Sequence, residues 1–530
     1  MALRLEVSSK VPDSRAQQFI QKIQAVFPAI LVENAQVVDV YTIDKDFSSS
    51  EIEKITAALT NPLTQQASTT KSVMNGANYA IETGFLPGVT DNVAHTTKEI
   101  IEDLLRIKFN EGEDVYTSQL IFLKTNGQNG EIKQLAASLI NPIIQRVHIK
   151  DSSQYKKDIG MDLVIPKVKL TTTPQVTEVN LDVSDEELTK IGKEGILNSD
   201  GTRRGPLALD LLYMKTIQKY FKKLKRHPTD IELESLAQTW SEHCKHTIFA
   251  SAMDDDVPDG LYKTFIKGAT QKIRKQSGDD DFCVSVFTDN SGAIAFDDQH
   301  LITHKVETHN TPSALDPFGG AITGIIGVNR DALGFGMGAK PVLNTYGFCF
   351  ANPNDEKPLY KDSALAIAML SPKRIMDGVI AGVNSGGNQS GIPTTQGFMY
   401  FDDRYKGKPL VFVGTLGLMP REINGKKAFE KKALPGDLVV MVGGRVGLDG
   451  IHGATFSSEA LDSGSPSTAV QIGDPITQKK FSDAIAKEAV FQDLYHSITD
   501  NGAGGLSCSV AEMAREAGGA RVDLEKIPLK

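Results

Sequence analysis

The chain is short of several things. Its 530 residues include one tryptophan and four cysteines, Cys244, Cys283, Cys349 and Cys508. The cysteines lie far apart and form no C-x-x-C pair, which argues against a disulfide framework or a zinc site and fits a reducing compartment. No apolar run reaches the ~18 residues of a membrane span, and the N-terminus has no basic-then-apolar signal segment. The expected location is the cytoplasm, with no membrane partner. Positive charge is not in excess. The 57 Lys and Arg against 66 Asp and Glu leave a net charge of −9, which argues against a general nucleic-acid binder. A Walker phosphate loop, G-x-x-x-x-G-K-[ST], is absent. One basic cluster exists, Lys215, Lys219, Lys222, Lys223, Lys225 and Arg226. It interleaves with Leu211, Met214, Ile217, Phe221 and Leu224 at helical spacing, as a solvated helix face does.

What is present begins with an internal repeat. Residues 51–65 read EIEKITAALTNPLTQ and residues 131–145 read EIKQLAASLINPIIQ, identical at seven of fifteen positions. Each copy follows a β-rich run, Val37–Ile43 or Tyr116–Leu123. Helical patterns precede those runs near Arg15–Phe27 and Asn92–Ile107. Two small α+β units therefore make one domain over residues 1–150. Residues 151–240 form a linker region with a polar start (Pro166 to Pro174) and two amphipathic helices. The second helix opens with a capping box, Thr229 with Glu232, and delivers Ser241-Glu242-His243-Cys244-Lys245-His246. His243 and His246, three apart, suit one shared ligand or a purely structural role.

The most informative stretch is Lys305-Val306-Glu307-Thr308-His309-Asn310. As a strand it puts Lys305, Glu307 and, one step on, His309 on one face, about 6–7 Å apart in turn. A cation, a carboxylate and an imidazole suit a phosphate, a magnesium ion and a proton transfer. Alone, the stretch reads equally as a surface strand of mixed charge. Residues 317–331 follow as a helix with Gly320, Gly324, Gly327 and Asp331 on one face. Each glycine inside a helix costs about 1 kcal/mol relative to alanine. Close packing is one reason for three of them; a groove ending at Arg330 and Asp331 is another. A glycine-rich turn follows at Gly334, Gly336 and Gly338. Further glycine-rich stretches are Asn384–Pro393, Gly443–Thr455, Gln471–Pro475 and Asp500–Leu506, the last running into a helix over Ser509–Ala517. A loop of this kind at a helix N-terminus suits an anion or a metal, although each alone reads as a turn. Arg521–Lys530 reads as a strand and the start of a connection.

Together these motifs (SEHC, K-V-E-T-H-N, the glycine helix ending in Arg-Asp, GGRVGLDGIHGAT, Q-I-G-D-P and D-N-G-A-G-G-L) resemble the formylglycinamidine ribonucleotide synthetase (PurL) family over residues 205–530. The N-terminal repeat resembles a fused, duplicated PurS-like domain, as in the large-type enzymes. The resemblance implies an α/β (α+β) fold. The duplicated PurS-like domain and helical linker would lead into the first half of an AIR-synthetase-like (PurM-like) core. That half would have an N-terminal lobe over 241–415 and an incomplete C-terminal lobe over 416–530.

The resemblance also implies a chemistry. Formylglycinamide ribonucleotide, ATP and ammonia would give formylglycinamidine ribonucleotide, ADP and phosphate, with Mg²⁺ as cofactor. By position, His243 and His309 match the catalytic histidines. His246 and Lys305 match nucleotide contacts. Glu307, Asp331 and Asp500 match magnesium carboxylates. Thr308, Asn310, Thr311, Arg330 and Gln471 match substrate contacts, although many relatives carry a second histidine where Thr311 stands. The second half of the core and the glutaminase are not in this sequence. The expected partners are therefore a complementary synthetase chain and a glutaminase subunit or domain. A non-catalytic fragment that keeps the fold is the alternative. A relative of selenophosphate synthetase or thiamine-phosphate kinase is a weaker one.

Overall fold

The computed structural model describes residues 2–72, 74–168, 175–198, 200–355, 357, 369–444, 446–447, 450–457, 470–527 and 529. The chain divides into two units, Met1–Thr171 and Thr172–Lys530.

The first unit is built twice from one pattern. Its first copy runs β1 (Leu3–Ser9), α1 (Ser14–Val26), β2 (Val32–Ile43), α2 (Ser49–Ala58) and β3 (Gln65–Ser68). The second runs β4 (Tyr79–Phe85), α3 (Asn92–Leu105), β5 (Val115–Thr125), α4 (Asn129–Leu139) and β6 (Gln145–Asp151), and α5 (Ser152–Lys157) follows. The six strands form one sheet in the order β3-β1-β2-β5-β4-β6, so the copies meet at their long second strands. Those strands pair antiparallel, with Asp39 opposite Gln119. The arrangement follows from the repeat, because two equal units that each leave β2 or β5 unpaired bury that edge against each other. The repeated segment EI…NP…Q folds the same way twice, with Glu51 and Glu131 each closing a helix N-terminus. The opening strands β1 and β4 were not expected from the sequence.

The second unit opens with helices α6 (Asp185–Glu194), α7 (Leu211–Lys223) and α8 (Asp230–Trp240) around a core that includes Leu188, Met214, Ile217, Phe221 and Leu233. The capping box is present: Glu232 N–H donates to Thr229 Oγ1 at 3.2 Å, and Thr229 N–H to Glu232 Oε2 at 2.9 Å. Lysines of α7 face outward, Lys215 pairing with Asp185 and Lys222 with Asp182. Short helices α9 (Glu242–Lys245) and α10 (Thr247–Ala250) follow, then α11 (Gly268–Ser277).

The next elements are β7 (Cys283–Ser285), β8 (Gly292–Ala295), β9 (His300–Thr308), α12 (Asn310–Leu315), α13 (Pro317–Leu333), β10 (Lys340–Phe350), α14 (Pro372–Ser390), β11 (Thr394–Phe401) and β12 (Leu410–Pro420). Their six-stranded sheet has the order β11-β10-β12-β9-β8-β7, with only β10 and β11 parallel, joined through α14. Helices α13 and α14 cover one face, packing Ile322, Ile325, Val379 and Val383 onto Phe348, Val411 and Val413. A small hairpin, β13 (Glu422–Ile423) with β14 (Lys426–Lys427), leads to α15 (Gly453–Ser457), α16 (Pro475–Ala484) and α17 (Gly505–Ala517).

Three sequence expectations change here. Asn384–Ser390 is not a loop but the last two turns of α14. Its glycines let the helix lie on α13: a Cβ at Gly386 would sit 2.3 Å from Ile325 Cγ2. Residues 521–527 form no strand, only a 3₁₀ turn at Leu524–Lys526, and Leu529 makes an isolated bridge with Val446. His243 and His246 do not share a helix face, because α9 ends at Lys245 and His246 turns left-handed at φ +52°. The Arg445, Leu448 and Asp449 positions of GGRVGLDGIHGAT, and residues 169–174 of the polar linker start, lie outside the described residues.

Candidate functional site

Strand β9 alternates, and its odd-numbered side chains turn toward α13. Register places Glu307 opposite Val413 and Lys305 opposite Thr415, both of which are buried under the helix layer. Lys305 Nζ lies 2.9 Å from Glu307 Oε1 and 3.6 Å from Asp331 Oδ2 on α13. Past the strand end, His309 donates its backbone N–H to Val411 O at 2.8 Å, and its ring packs against α13. A Cβ at Gly324 would lie 3.2 Å from His309 Cγ, so that glycine is required by the ring. Gly320 likewise packs on the backbone of Pro312 and Ser313, whereas Gly327 meets only the far end of Arg330. Two of the three helix glycines are thus explained by close approach, and only the third opens space beside the charged residues.

Asp500 arrives from a distant loop. Its Oδ2 is 3.6 Å from Arg330 Nε, beyond hydrogen-bond reach, and Asn290 Nδ2 is 3.4 Å from its Oδ1. The loop is held by Lys431. Its Nζ donates to Ile498 O at 2.8 Å and Asp289 Oδ1 at 2.7 Å, and also to the Gly334 carbonyl at the end of α13. Sequence reading missed Asn290, Asp289 and Lys431, because no local pattern marks residues recruited from separate segments.

The electrostatics follow from crowding. Burial, with Asp500 nearby, pushes the Asp331 carboxyl up to about 8, against the pull of Lys305. Burial would lower Lys305, but Asp331 and Glu307 outweigh it and hold the ammonium above its ordinary value. Burial pushes His309 down to about 4 and also lowers His243, which lies within the field of Glu307. Both imidazoles are therefore neutral at pH 7. His309 Nδ1 is enclosed and has no hydrogen-bond partner among the described residues, an acceptor or donor left for something else.

The structure gathers Lys305, Glu307, His309, Arg330, Asp331 and Asp500, with His243 at the margin. Others of the expected set are not gathered. Thr308 falls on the opposite, exposed face of β9 by the same alternation that collects its neighbours. His246 is exposed. Asn310 Oδ1 accepts from Val411 N–H at 2.9 Å, a structural bond. Thr311 is 4% exposed within α12. Gln471 is tied by its backbone carbonyl, which accepts from Thr323 Oγ1 on α13 at 2.6 Å. Among the described residues no group of three or more His, Cys, Asp or Glu side chains converges closely enough to hold a metal ion. The expected all-carboxylate set of Glu307, Asp331 and Asp500 is interrupted by the protein's own cations, Lys305 and Arg330.

Elsewhere in the second unit, Glu234 of α8 faces His452, with Oε2 and Nδ1 3.6 Å apart. That is ion-pair distance, but burial pushes Glu234 up to about 7 and lowers His452, so both favour their neutral forms and the contact is no formed salt bridge. Glu234 holds its proton in the fold between about pH 4.5 and 7 while the unfolded chain has lost it. Stability therefore falls as pH rises through that window. Glu234→Gln should flatten this dependence and raise stability at pH 8 by up to about 3 kcal/mol. Thermal unfolding at pH 5 and pH 8 measures it; equal midpoint shifts at both pH values would discard the idea.

Three family descriptions match in chain order. They are the formylglycinamide ribonucleotide amidotransferase linker domain over residues 200–246, the AIR synthase related protein N-terminal domain over 288–419 and its C-terminal domain over 435–530. The phosphoribosylformylglycinamidine synthase subunit PurL of Thermoplasma acidophilum is 35% identical over 62% of this chain and 40% of its own length. That of Picrophilus torridus is 33% identical over 66% and 41%. A solved structure, T. maritima PurL complexed with FGAR, is 29% identical, covers 60% of this chain and 44% of its own, and has a TM-score of 0.46. The chain thus spans about 40% of the length of the curated relatives it matches. Among the described residues no helix is long and apolar enough to cross a membrane. The ordered domain matches and the curated relatives agree: over residues 200–530 the chain is similar to the phosphoribosylformylglycinamidine synthase subunit PurL.

Proposed function

We propose that the chain supplies part of an ATP-dependent synthetase site that amidates formylglycinamide ribonucleotide to formylglycinamidine ribonucleotide in purine biosynthesis. The observation that carries this reading is the convergence of Lys305, Glu307 and His309 from β9 on Arg330 and Asp331 of α13. An amide oxygen leaves poorly until phosphorylated, and ammonia then displaces the phosphate. Lys305 and Arg330 present positive charge to transferring and resting phosphates, the guanidinium binding as a fork. His309, neutral and with an unpartnered ring nitrogen, accepts the proton that the attacking ammonia must lose. The charge of Glu307 favours a protonated His243, but burial outweighs it and keeps that imidazole neutral.

The carboxylates fit Mg²⁺ shared with substrate phosphates rather than caged by protein alone, since Mg²⁺ is commonly held by one or two carboxylates plus phosphate oxygens. Glu307, Asp331 and Asp500 would be its protein ligands, and the ion would offset triphosphate charge. Asp331, crowded enough to retain a proton near neutrality, is the carboxylate such an ion would ionise.

The site is completed by a second synthetase half, and ammonia comes from a glutaminase. Two observations support a missing partner surface. The sheet face away from α13 and α14 leaves Val306 39% exposed, and the edge strand β11 exposes Phe398 and Tyr400. In the segment after β14, Leu438 is 89% and Val440 76% exposed. The first unit, with its two repeats, would take the PurS-like part and dock the glutaminase. The same exposed segment also suits a fragment that keeps the fold without turnover. The deciding experiment is ammonia- and ATP-dependent conversion of formylglycinamide ribonucleotide by the chain alone, then with its complementary half. Product in the mixture is expected. A folded chain that stays silent in both would favour the fragment.

A further inference from the structure

Two of the four cysteines, separated by most of the second unit in sequence, meet in the fold. Cys244 follows His243 on α9, and Cys508 lies in the first turn of α17. Their sulfurs come together beside Gly504. The backbone makes room for both: a Cβ at Gly504 would sit 1.9 Å from Cys508 Sγ and 3.8 Å from Cys244 Sγ, so only glycine fits there. The pair is asymmetric. Cys244 is exposed and Cys508 half-buried. The neighbouring Cys508 thiol, with help from Ser241 and the field of His246, brings the Cys244 thiol down to about 6, against burial and the negative charge of Glu512. The same contact, with burial, Glu512 and Asp500, pushes Cys508 up. An accessible low-pKa thiol beside a second thiol is the arrangement that thiol–disulfide exchange requires.

We propose that Cys244 and Cys508 form a reversible thiol–disulfide modification site whose oxidant is a small-molecule disulfide, with Cys244 attacking and Cys508 resolving. The Cys244 thiolate attacks one sulfur of the small disulfide. That S–S bond breaks, one small thiolate leaves, and a mixed disulfide stands on Cys244. Cys508 then gives up its proton and attacks the Cys244 sulfur, closing the Cys244–Cys508 bond and expelling the second small thiolate. Two protein thiols are oxidised, one small disulfide is reduced to two thiols, and the two protons end on the released sulfurs. The closed bond ties α9, which carries His243, to the helix that follows the Asp500 loop. The chemistry itself is independent of the synthetase reading.

The test uses the whole chain and oxidised glutathione. After incubation at pH 7, unfolding and alkylation, two of the four thiols should be protected, and peptide mass mapping should join the Cys244 and Cys508 peptides. Dithiothreitol should restore both. Cys508→Ser should stop at a glutathione adduct on Cys244, and Cys244→Ser should leave Cys508 unmodified. Four free thiols in oxidised wild type, or an adduct on Cys508 in the Cys244→Ser chain at the wild-type rate, would overturn the assignment. The wild-type experiment needs no substitution, so a variant that misfolds leaves the test intact.

Discussion

Replacing His309 with asparagine should lower ammonia-dependent turnover, in the chain combined with its complementary half, by about 10²–10⁴-fold while nucleotide affinity stays nearly constant. The ring sits against α13 at Gly324 and its Nδ1 has no partner among the described residues. Asparagine keeps a polar group near the Nδ1 position but removes the basic nitrogen, and it leaves no charge unpaired. Burial holds this imidazole down to about 4, so the neutral form predominates above that pH. The acid limb that His309 contributes to kcat/KM should therefore lie near pH 4, not near the ordinary 6.5. Gly324→Ala offers an independent check. Its methyl would approach His309 Cγ and Val413 Cγ2 to 3.2 Å, so the ring must shift. Turnover should fall with affinity spared, since a displacement of a few tenths of an ångström matters more to proton transfer than to phosphate binding. A His309→Asn chain with unchanged kcat would remove His309 from the reaction.

How much of this was legible in sequence depended on distance along the chain. Lys305, Glu307 and His309 were readable because strand alternation places them together within five residues, and the structure shows that face turned to α13. Asp331 was readable from helical period. The same alternation should have separated Thr308 from its neighbours, and does. Asp500 could be suspected from its glycine-rich context, but its approach to Arg330, and Lys431 bracing the loop, depend on contacts between segments far apart. The Cys244–Cys508 meeting was invisible for the same reason: wide spacing in sequence excluded a C-x-x-C motif, not contact in space.

The first unit shows a different limit. Its repeat was plain, and its helices and second strands were placed close to where they fold. The opening strands β1 and β4 were missed because Arg4, Glu6 and Glu82 stand on them. Charged residues at alternate positions ordinarily mark a solvated face. Here that face is covered. Arg4, Glu6 and Glu82 are 8%, 2% and 3% exposed, beside a cluster containing Val38, Val40, Leu120, Phe122, Tyr155 and Met161.

That covered charge makes Arg4 critical to the stability of the first unit. Its guanidinium donates from Nε to Glu6 Oε1 at 2.7 Å, and from Nη1 and Nη2 to the two oxygens of Glu82 at 3.2 and 2.9 Å. Ser118 Oγ donates to Glu82 Oε1 at 2.6 Å, and Ser72 N–H to Glu6 Oε2 at 2.7 Å. Strands β1, β4 and β5 and the loop at Ser72 are therefore tied into one buried network around Arg4. Arg4→Ala would strand two buried carboxylates, at a cost of about 3–5 kcal/mol. For a unit of this size that is roughly a 10 °C fall in its unfolding midpoint. Replacing the cation and both acids together, as Arg4→Met with Glu6→Gln and Glu82→Leu, should recover most of the loss, because a buried ion pair contributes little beyond a well-packed apolar substitute. Trp240, the chain's one tryptophan, lies in the second unit. Its fluorescence follows that unit, while circular dichroism reports both. An Arg4→Ala chain whose circular dichroism midpoint moves by less than about 2 °C would show that water or rearrangement already satisfies Glu6 and Glu82. The charged strand would then be the solvated surface its sequence suggests.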